Sequence, residues 1–384
     1  MNAKQIGSVR QIWRYPISSL MGETVESVSV TKAGFAGDRI GAFFDAETLG
    51  IASPPTPRKW SVAPLMAART GSAGEIEIAT GGTTWQPVDS PSLIEAVSEL
   101  FGSRMMFRRY GEYSGDVLFK QRYAWKPVHI ISIQSLESLQ QQLAGEAVDV
   151  RRFRPNIVAD LSGFGKDRPE YELIGREFTI SGVRLRGLGP SGRCSFTTLA
   201  QRGLPEDRSV LKALIANFDK DFGIYCDVVS EGEIAPGDAI NLERTEAAGH
   251  PAAVAVRPRP GPLQQAANRS AGTASGPKVR IGSLDEFPSG EIRRIEVPGA
   301  GALAVFRTDA AVYAVSDRCP HAGAPMSEGI LENGRIVCPL HFAEFDPQTG
   351  EPFNAPTGCR HLKCYLVERQ GNELSIRLQD DQKR

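Results

Sequence analysis

The sequence predicts a mainly β protein with α+β elements, built as a β-barrel-like module followed by a small all-β domain. Three observations lead to this prediction. Short β-branched runs between Gly and Pro turns dominate the sequence up to residue 245. A segment rich in Ala, Pro, Gly and Ser, from Glu246 to Lys278, interrupts that pattern. Beyond it, two short loops containing Cys and His flank a hairpin signal.

The first module contains strand signals and two helix signals. The strand-like runs lie at residues 25–31, 75–81, 177–189 and 223–232. A helix is predicted at Ser135–Gln142, with Ser135 as its N-cap, and another at Ser209–Phe218. One apolar face of the second helix is formed by Val210, Leu211, Leu214 and Ile215. Many short strands with few helices favour a β-barrel-like α+β domain.

The segment from Glu246 to Lys278 is predicted to be a flexible linker. It has no sustained apolar period, so it cannot bury enough surface to offset the entropy of ordering it. Its roughly 33 residues, at about 5–6 Å × √n, reach some 30 Å on average. We therefore expect an N-terminal β-barrel domain at 1–120, a second domain at 121–245, the linker at 246–278 and an all-β domain at 279–384.

Length and composition exclude several classes of protein. A chain of 384 residues has room for two or three domains, and its formal net charge of −1 creates no field that attracts nucleic acid or an anionic membrane. No apolar run approaches the roughly 20 residues of a membrane helix. The N-terminus lacks the apolar core of a signal peptide. Six cysteines in so long a chain are no disulfide framework. We expect a cytoplasmic protein without nucleic-acid or membrane partners.

Two cysteines and two histidines are concentrated between residues 319 and 341, as Cys319-Pro-His321 and Cys338-Pro-Leu-His341. Four such ligands in a tetrahedral array would suit structural zinc. Zinc modules, however, usually group like ligands together. One thiol and one imidazole from each loop suit a two-iron cluster, with both thiolates on one iron and both imidazoles on the other.

The residues around these ligands predict two loops joined by a hairpin. Val312–Val315 is predicted to be a strand that leads into the first loop. Ile330–Glu332 and Arg335–Val337 flank Asn333-Gly334, a strong hairpin signal. With these features, the stretches CPHAGAPMSEG, CPLH and FDPQTGE resemble Rieske-type ferredoxins, and the resemblance runs from about Val279 to Leu378.

The resemblance also implies a low-potential, ferredoxin-like centre. High-potential Rieske proteins have an extra cysteine in each loop, bridged as a disulfide, and hydroxyl donors to the cluster. The matching positions here are Ala324 and Leu340 for the cysteines, and Ala343 and Phe345 for the hydroxyl groups. Fewer hydrogen bonds to the sulfurs stabilise the reduced cluster less, which lowers the potential.

A different cysteine, Cys194, follows a Gly-containing turn in the first module and is preceded by Arg193. A neighbouring cation favours the thiolate form of a cysteine, which is the nucleophile and the metal ligand. Taken alone, this pattern leaves open a small buried hydrophobe on a strand.

Four further motifs accompany Cys194 in a defined order. The set is RYPISS at 14–19, AGDR at 36–39, PRKW at 57–60, RFRPNIV at 152–158 and GRCSFTTLAQRGLP at 192–205. It resembles the MOSC family with its N-terminal β-barrel partner, from about Gly7 to Leu242. The resemblance implies a molybdenum–pterin cofactor (Moco) whose metal is bound by a protein cysteine. That family includes amidoxime-reducing proteins and bacterial reductases of N-hydroxylated bases, some with a fused iron–sulfur domain.

Carried over residue by residue, the resemblance assigns five positions. These are Cys194 as the metal-binding cysteine, Arg154 and Asn156 in the R-P-N motif that contacts the cofactor, Arg39 near the pterin phosphate, and Ser19 in the Y-P-x-K-S turn. Guanidinium forks and hydroxyl donors suit a phosphate and an anionic dithiolene. Ser18 and Pro55 stand where the family pattern has lysines, and the loss of two cations weakens anion binding.

Together the two resemblances predict a molybdenum- and iron–sulfur-dependent oxidoreductase. It would reduce N–O bonds of N-hydroxylated small molecules at a Cys194-ligated molybdenum, with electrons from its own [2Fe–2S] cluster. No flavin or nicotinamide motif is visible, so a separate NAD(P)H-dependent flavin reductase is expected as the donor. The alternative is a sulfur-carrier or persulfide-binding module with a ferredoxin-like domain. An oxygenase component is disfavoured because too few histidines remain for a two-His-one-carboxylate iron site.

Overall fold

The computed structural model describes residues 4–54, 58–121, 126–143, 148–165, 167–242, 276–308, 311–332, 334–353, 355 and 359–378. The chain divides into two compact units, Met1–Ala248 and Gly249–Arg384. Pro55 and residues 246–275 of the predicted linker lie outside the described residues. The last residue assigned to the linker, Lys278, begins a strand.

The first unit consists of short strands, three α-helices and several 3-10 turns in its described part. Its strands are β1 (Lys4–Arg14), β2 (Glu23–Thr24), β3 (Val28–Thr31), β4 (Gly34–Phe35), β5 (Gly41–Asp45), β6 (Ala67–Thr70), β7 (Ile76–Ala79), β8 (Gln86–Pro87), β9 (Met105–Arg109), β10 (Tyr113–Ser114), β11 (Val117–Leu118), β12 (Val128–Ser132), β13 (Ile157–Asp160), β14 (Glu177–Ile180), β15 (Val183–Gly192), β16 (Asp221–Ser230), β17 (Gly232–Ile234) and β18 (Ala239–Leu242). The helices are α1 (Pro91–Phe101), α2 (Ile133–Gln140) and α3 (Ser209–Asn217). The 3-10 turns are Arg58–Leu65, Val150–Phe153, Ser162–Phe164, Pro169–Leu173 and Ser195–Thr198.

Seven strands of the first unit close into a barrel, which confirms the predicted mainly β fold with a β-barrel module. Their order is β13-β12-β16-β15-β14-β18-β1, and β1 pairs back onto β13. Only the β12–β13 pair is parallel among these described pairings. Inward-facing aliphatic and aromatic side chains, including Ile6, Ile130 and Phe178, fill the interior. Because β1 lies between β13 and β18, strand pairing crosses the boundary predicted at residue 120.

A second core lies beside the barrel and is built from the β5–β9 pair, the sheet β6-β7-β8, α1 and the 3-10 turn Arg58–Leu65. Trp60 packs edge-on against Phe101 of α1, with ring centroids 5.1 Å apart. The sequence analysis did not predict α1, although its signals are complete. Ser90 accepts a hydrogen bond from the Leu93 amide, Pro91 opens the helix, and Gly102 ends it with a φ of 62°.

The two predicted helices are present with shifted bounds. The helix predicted from Ser135 begins at Ile133, and its N-cap is Ser132, which accepts a hydrogen bond from the Ser135 amide at 3.0 Å. The Ser135 hydroxyl instead donates to the buried carboxylate of Glu170 at 2.8 Å. The second helix ends at Asn217 and buries Val210, Leu211 and Leu214 as its apolar face.

The second unit is all-β in its described part, with only 3-10 turns at Leu284–Glu286 and Met326–Glu328. Its strands are β19 (Lys278–Ser283), β20 (Ile292–Val297), β21 (Gly301–Arg307), β22 (Val312–Ser316), β23 (Ile330–Glu332), β24 (Arg335–Val337), β25 (Glu344–Phe345), β26 (Pro352–Phe353), β27 (Cys364–Tyr365), β28 (Val367–Gln370) and β29 (Glu373–Arg377). They form the antiparallel sheets β19-β29-β28, β20-β21-β22-β27 and β23-β24-β25-β26. Within the described residues, no helix is both long and apolar enough to cross a bilayer.

Candidate metal centre and anion site

The two Cys–His loops of the second unit have the same backbone fold. The first loop follows β22 and the second follows β24. In each loop, the cysteine amide donates to the carbonyl five residues later, and the amide four residues later donates to the cysteine carbonyl. In the first loop these bonds are Cys319 to Ala324 and Gly323 to Cys319, both 2.8 Å long. In the second loop they are Cys338 to Ala343 at 2.9 Å and Phe342 to Cys338 at 3.0 Å. Gly323 and Phe342 both have a positive φ, of 73° and 55°. Each loop is therefore a closed turn that holds its cysteine in a defined place.

A hairpin sets the spacing between the two loops. Strand β23 pairs with β24 from Ile330 opposite Val337 to Glu332 opposite Arg335, as the sequence predicted. Asn333 of the predicted turn lies outside the described residues, and Gly334 has the positive φ, 76°, that a tight turn needs. The predicted strand Val312–Val315 is present as β22.

The four ligand candidates form a sulfur pair and a nitrogen pair. Cys319 and Cys338 are almost fully buried, and His341 is more buried than His321. The thiols of Cys319 and Cys338 interact with each other, and this interaction lowers the pKa of Cys319 and raises the pKa of Cys338. The Nδ1 atoms of His321 and His341 lie 3.0 Å apart.

This pairing fits a two-iron cluster better than a single metal ion. In the described part of the chain, no three His, Cys, Asp or Glu side chains converge on one point that could hold a metal ion. Two thiolates on one iron and two imidazoles on the other would use both pairs. Two nitrogens bound to one metal at roughly 2.0–2.1 Å lie at most about 4.2 Å apart, and the observed 3.0 Å is within that limit.

None of the four positions that have a cysteine or a hydroxyl donor in high-potential Rieske proteins has one in this chain. Ala324, Ala343 and Phe345 are buried, and Leu340 packs against the same core. All six cysteines of the chain are free thiols in this structure. The expected low potential stays a prediction, since it depends on hydrogen bonds to the bound cluster.

One residue that sequence reasoning missed closes the first ligand loop. The carboxylate of Asp317 is 2% exposed and accepts a hydrogen bond from the Ser327 amide at 2.6 Å, across the loop. It also pairs with Arg294 of β20, whose Nε lies 3.0 Å away. The sequence signal that could have identified Asp317 is its position, an acidic residue two positions before Cys319.

In the first unit, Arg39, Arg154 and Asn156 form one hydrogen-bonded network. The Asn156 Oδ1 accepts from the Arg39 Nη1 at 3.4 Å and from the His129 amide at 3.1 Å. The Arg154 carbonyl accepts from the Arg39 Nη2 and from the His129 Nδ1, each at 3.3 Å. Arg39 also pairs with Asp38. His129 is buried within this network.

The buried ring of Tyr15 lies beneath both guanidinium groups. The Cζ atoms of Arg154 and Arg39 lie 4.2 and 5.0 Å from its centroid. Burial, followed by repulsion from Arg39, lowers the pKa of Arg154 to about 10. Two guanidiniums held this close repel each other, and the electron-rich ring face offsets part of that repulsion.

Buried polar atoms in this cluster lack hydrogen-bond partners within the described residues. They are the Tyr15 hydroxyl, the His129 Nε2, the Arg154 Nη2 and the Arg193 Nε. Unpaired buried donors are costly, and they concentrate where a ligand supplies the missing acceptor. The charges of three arginines, Arg39, Arg154 and Arg193, and of one carboxylate, Asp38, act on the Tyr15 hydroxyl, so the surplus positive charge fits an anionic group such as a phosphate or dithiolene.

Three of the five positions assigned by the MOSC resemblance have a left-handed backbone. Their φ values are 72° for Ser19, 47° for Arg39 and 55° for Arg154. Non-glycine residues rarely adopt this conformation, and such strain concentrates at functional sites.

Ser18 accepts a hydrogen bond from the Tyr110 hydroxyl at 2.8 Å, so a neutral pair occupies the position of the first missing lysine.

Cys194 is half-buried and precedes the 3-10 turn Ser195–Thr198. Its loop reaches the arginine network, since the Phe196 ring centroid lies 5.4 Å from the Arg154 Cζ. Arg193 is directed into the protein, where it donates to the Ser191 Oγ at 2.7 Å and the Phe153 carbonyl at 2.6 Å. The structure thus places the Cys194 loop next to Arg154, while the Arg193 guanidinium donates its hydrogen bonds to Ser191 and Phe153.

Comparison with known proteins matches residues 116–241 to the MOSC domain and residues 278–366 to the Rieske [2Fe–2S] domain. The ferredoxin component of the naphthalene 1,2-dioxygenase system of Pseudomonas aeruginosa is 36% identical over 96 residues, 25% of this chain and 90% of that protein. The 3-phenylpropionate/cinnamic acid dioxygenase ferredoxin subunit of Escherichia coli (strain K12) is 38% identical over 98 residues, with coverage of 25% and 90%. Among solved structures, the ferredoxin of carbazole 1,9a-dioxygenase from Nocardioides aromaticivorans IC177 is 32% identical and covers 26% of this chain and 95% of its own, with a TM-score of 0.24.

Proposed function

Because the chain belongs to the Rieske [2Fe–2S] ferredoxin family through its C-terminal domain and has a MOSC domain ahead of it, we propose that it is a molybdenum-dependent reductase of N–O bonds with a built-in electron donor. The two domains confirm both resemblances noted in the sequence and support an oxidoreductase-like protein with an electron-transfer domain. The molybdenum centre and the N-hydroxylated substrate are the proposal.

The Rieske domain is proposed to deliver electrons singly. Cys319 and Cys338 would bind one iron, and His321 and His341 the other. The related ferredoxins are named as components of dioxygenase systems, which is compatible with a chain that receives electrons from a reductase. We propose a separate NAD(P)H-dependent flavin reductase as that donor. A tether between the domains raises the local concentration of reductant at the second centre.

The observation that carries the proposal is the Arg39–Arg154–Asn156 network, with its unpartnered buried donors, beside the Cys194 loop. When bound, the molybdenum–pterin group supplies a metal that collects two electrons and takes up an oxygen atom. Arg39 and Arg154 would hold its anionic parts, and the Asn156 amide would fix the position of Arg39. Cys194 would bind the metal through its sulfur.

The proposed reaction balances with two electrons and two protons. An N-hydroxylated substrate, R–NH–OH, loses its N–O bond and becomes R–NH2, and the oxygen leaves as water. The cluster carries one electron at a time, so each turnover needs two successive deliveries. Solvent supplies the protons, and the small-molecule substrate needs only to reach the half-buried Cys194.

Elemental analysis for molybdenum, iron and zinc on the purified protein is the direct test, combined with reduction of an N-hydroxylated test compound by an artificial one-electron donor. We expect two irons and one molybdenum per chain. Cys194→Ser should lose activity and keep a reducible cluster, because an alcohol oxygen is a poor substitute for a thiolate ligand. Cys226→Ala, which changes a fully buried cysteine of the same unit, is the matched control.

Full activity in Cys194→Ser would remove Cys194 from the mechanism. Active wild-type protein without molybdenum would overturn the proposal for the first unit. A persulfide on Cys194 in molybdenum-free protein, detected by mass spectrometry, would instead support a sulfur-carrier module.

A further inference from the structure

The segment that follows Cys194 has little structure of its own. The turn Ser195–Thr198 is four residues long, with short-range bonds such as the Thr197 amide to the Cys194 carbonyl at 3.1 Å, and the Asp207 amide donates to the Thr198 carbonyl at 2.8 Å. A 3-10 turn of this length has poor hydrogen-bond geometry and cannot order the chain by itself. Yet Thr197 is buried and Leu199 is partly buried, so their carbonyls need partners from elsewhere.

Arg152 supplies those partners. Its side chain is nearly fully buried, and its guanidinium donates to three backbone carbonyls of this segment: Thr197 at 3.4 Å, Leu199 at 3.3 Å and Pro205 at 2.8 Å. Within the described residues, all its hydrogen bonds go to carbonyl oxygens. A planar guanidinium directs its donors from separate nitrogens in a fixed fork, whereas the three donors of an ammonium group diverge from one nitrogen and cannot reach acceptors spread this far apart.

A second arginine makes the reverse connection. Arg193, directly before Cys194, donates to the carbonyl of Phe153 at 2.6 Å. Arg152 and Phe153 belong to the turn that leads into Arg154 and Asn156. The segment of the arginine network and the segment of Cys194 are therefore linked in both directions, on either side of the sulfur.

We propose that Arg152 is a positioning residue, which holds the Cys194 loop in place relative to Arg39, Arg154 and Asn156. Its guanidinium contacts neither Cys194 nor the unpartnered donors of the anion site. It acts by ordering residues 197–205. The part of this inference that concerns metal binding rests on the proposed function, whereas the ordering of the loop does not.

The test uses full-length protein grown without molybdate, and compares Arg152→Gln and Arg152→Lys with wild type. One readout is the alkylation rate of Cys194, mapped by peptide mass spectrometry. The other is hydrogen exchange of the amides in residues 195–204. Both variants should speed exchange by about tenfold, which corresponds to ~1.4 kcal/mol of opening free energy. Arg152→Lys should not restore the loop, because the planar fork is lost although the charge remains.

Two controls separate positioning from general destabilisation. Ile240→Ala empties a buried site in β18, far from this loop in sequence, and should lower the melting temperature without changing the Cys194 alkylation rate. The second control is a proton-exchange measurement on the wild-type protein alone. The guanidinium protons of Arg152 should exchange with solvent far more slowly than those of the exposed Arg10.

Wild-type rates at residues 195–204 in both variants, or fast exchange of the Arg152 guanidinium protons, would overturn the inference. In protein grown with molybdate, the variants should contain less molybdenum than Ile240→Ala, and unchanged molybdenum with a loosened loop would refute the link to metal binding. If wild type contains no molybdenum, the proposed function fails, while the alkylation and exchange results still decide the positioning role.

Discussion

Replacing Asp317 with alanine should release the first ligand loop of the Rieske domain. The Asp317 carboxylate is 2% exposed and accepts the Ser327 amide at 2.6 Å, which joins the two ends of the loop that contains Cys319 and His321. It also pairs with Arg294, whose side chain is 53% exposed. Alanine removes both interactions and leaves the Ser327 amide without its acceptor.

The two interactions differ in expected size. A hydrogen bond to a charged group contributes about 1.5–3 kcal/mol. An ion pair with a half-exposed partner is screened by solvent and contributes about 0.2–1 kcal/mol. We therefore expect Asp317→Ala to destabilise the domain by about 2–4 kcal/mol, and Arg294→Ala by less than about 1 kcal/mol. For a domain of roughly 100 residues, 1 kcal/mol corresponds to about 4–8 °C in Tm.

The assay is thermal loss of the visible absorption of the cluster, recorded for wild type, Asp317→Ala, Asp317→Asn and Arg294→Ala. Asp317→Asn keeps an oxygen that accepts from Ser327 and loses only the charge, so it should fall between the two alanine variants. If Asp317→Ala shifts the transition no more than Arg294→Ala does, the loop is not held by this carboxylate and the reasoning fails.

Three further predictions concern the cluster, the tether and pH. His321→Ala should abolish the Rieske spectrum, and a wild-type protein with one zinc and no iron would contradict the cluster assignment. Shortening residues 246–275 to a few residues should leave both cofactors bound and slow turnover with a physiological donor, whereas unchanged turnover would mean that the tether is not needed. Burial raises the pKa of Glu170 above its ordinary value. The stability that the protonated side chain contributes to the folded protein is therefore fully present below the pKa of the unfolded state, and it is lost as pH rises through the folded pKa. Chemical denaturation of Glu170→Gln across this window should show a weaker pH dependence than wild type, and an identical dependence would exclude Glu170 as its source.

Local patterns predicted much of the fold. The run at 75–81 contains β7, the run at 223–232 covers most of β16, and the Asn-Gly signal lies between β23 and β24. Helix α1 was missed although Ser90 and Gly102 mark its ends, so that error lay in the interpretation of the sequence. The predicted start of α2 was wrong by two residues, because Ser132 rather than Ser135 caps the helix, and Ser132 was also a possible local N-cap signal.

The candidate site residues also divide into those that the sequence indicates and those that only the folded structure identifies. The Cys–His spacing could be recognised because each loop is contiguous in sequence, and Cys194 could be assigned only together with the ordered motifs that accompany it. Asp317, Tyr15 and Arg152 were not predicted as site residues, because their roles depend on partners that come close only in the folded chain. Arg193 precedes Cys194 in the sequence, and the structure shows which acceptors its guanidinium uses, the Ser191 hydroxyl and the Phe153 carbonyl.

By itself, the sequence determined the mainly β class, the Rieske and MOSC resemblances, and the identity of the ligand candidates, because β-branched runs, turn residues and ligand spacing act over a few neighbouring positions. The tertiary structure alone decided that β1 closes the barrel between β13 and β18, and that the two cysteines and the two histidines form separate pairs. It also decided that Arg39 and Arg154 share the Tyr15 ring. These arrangements depend on which distant segments pack together, and that choice follows from burial and hydrogen bonding summed over the whole domain.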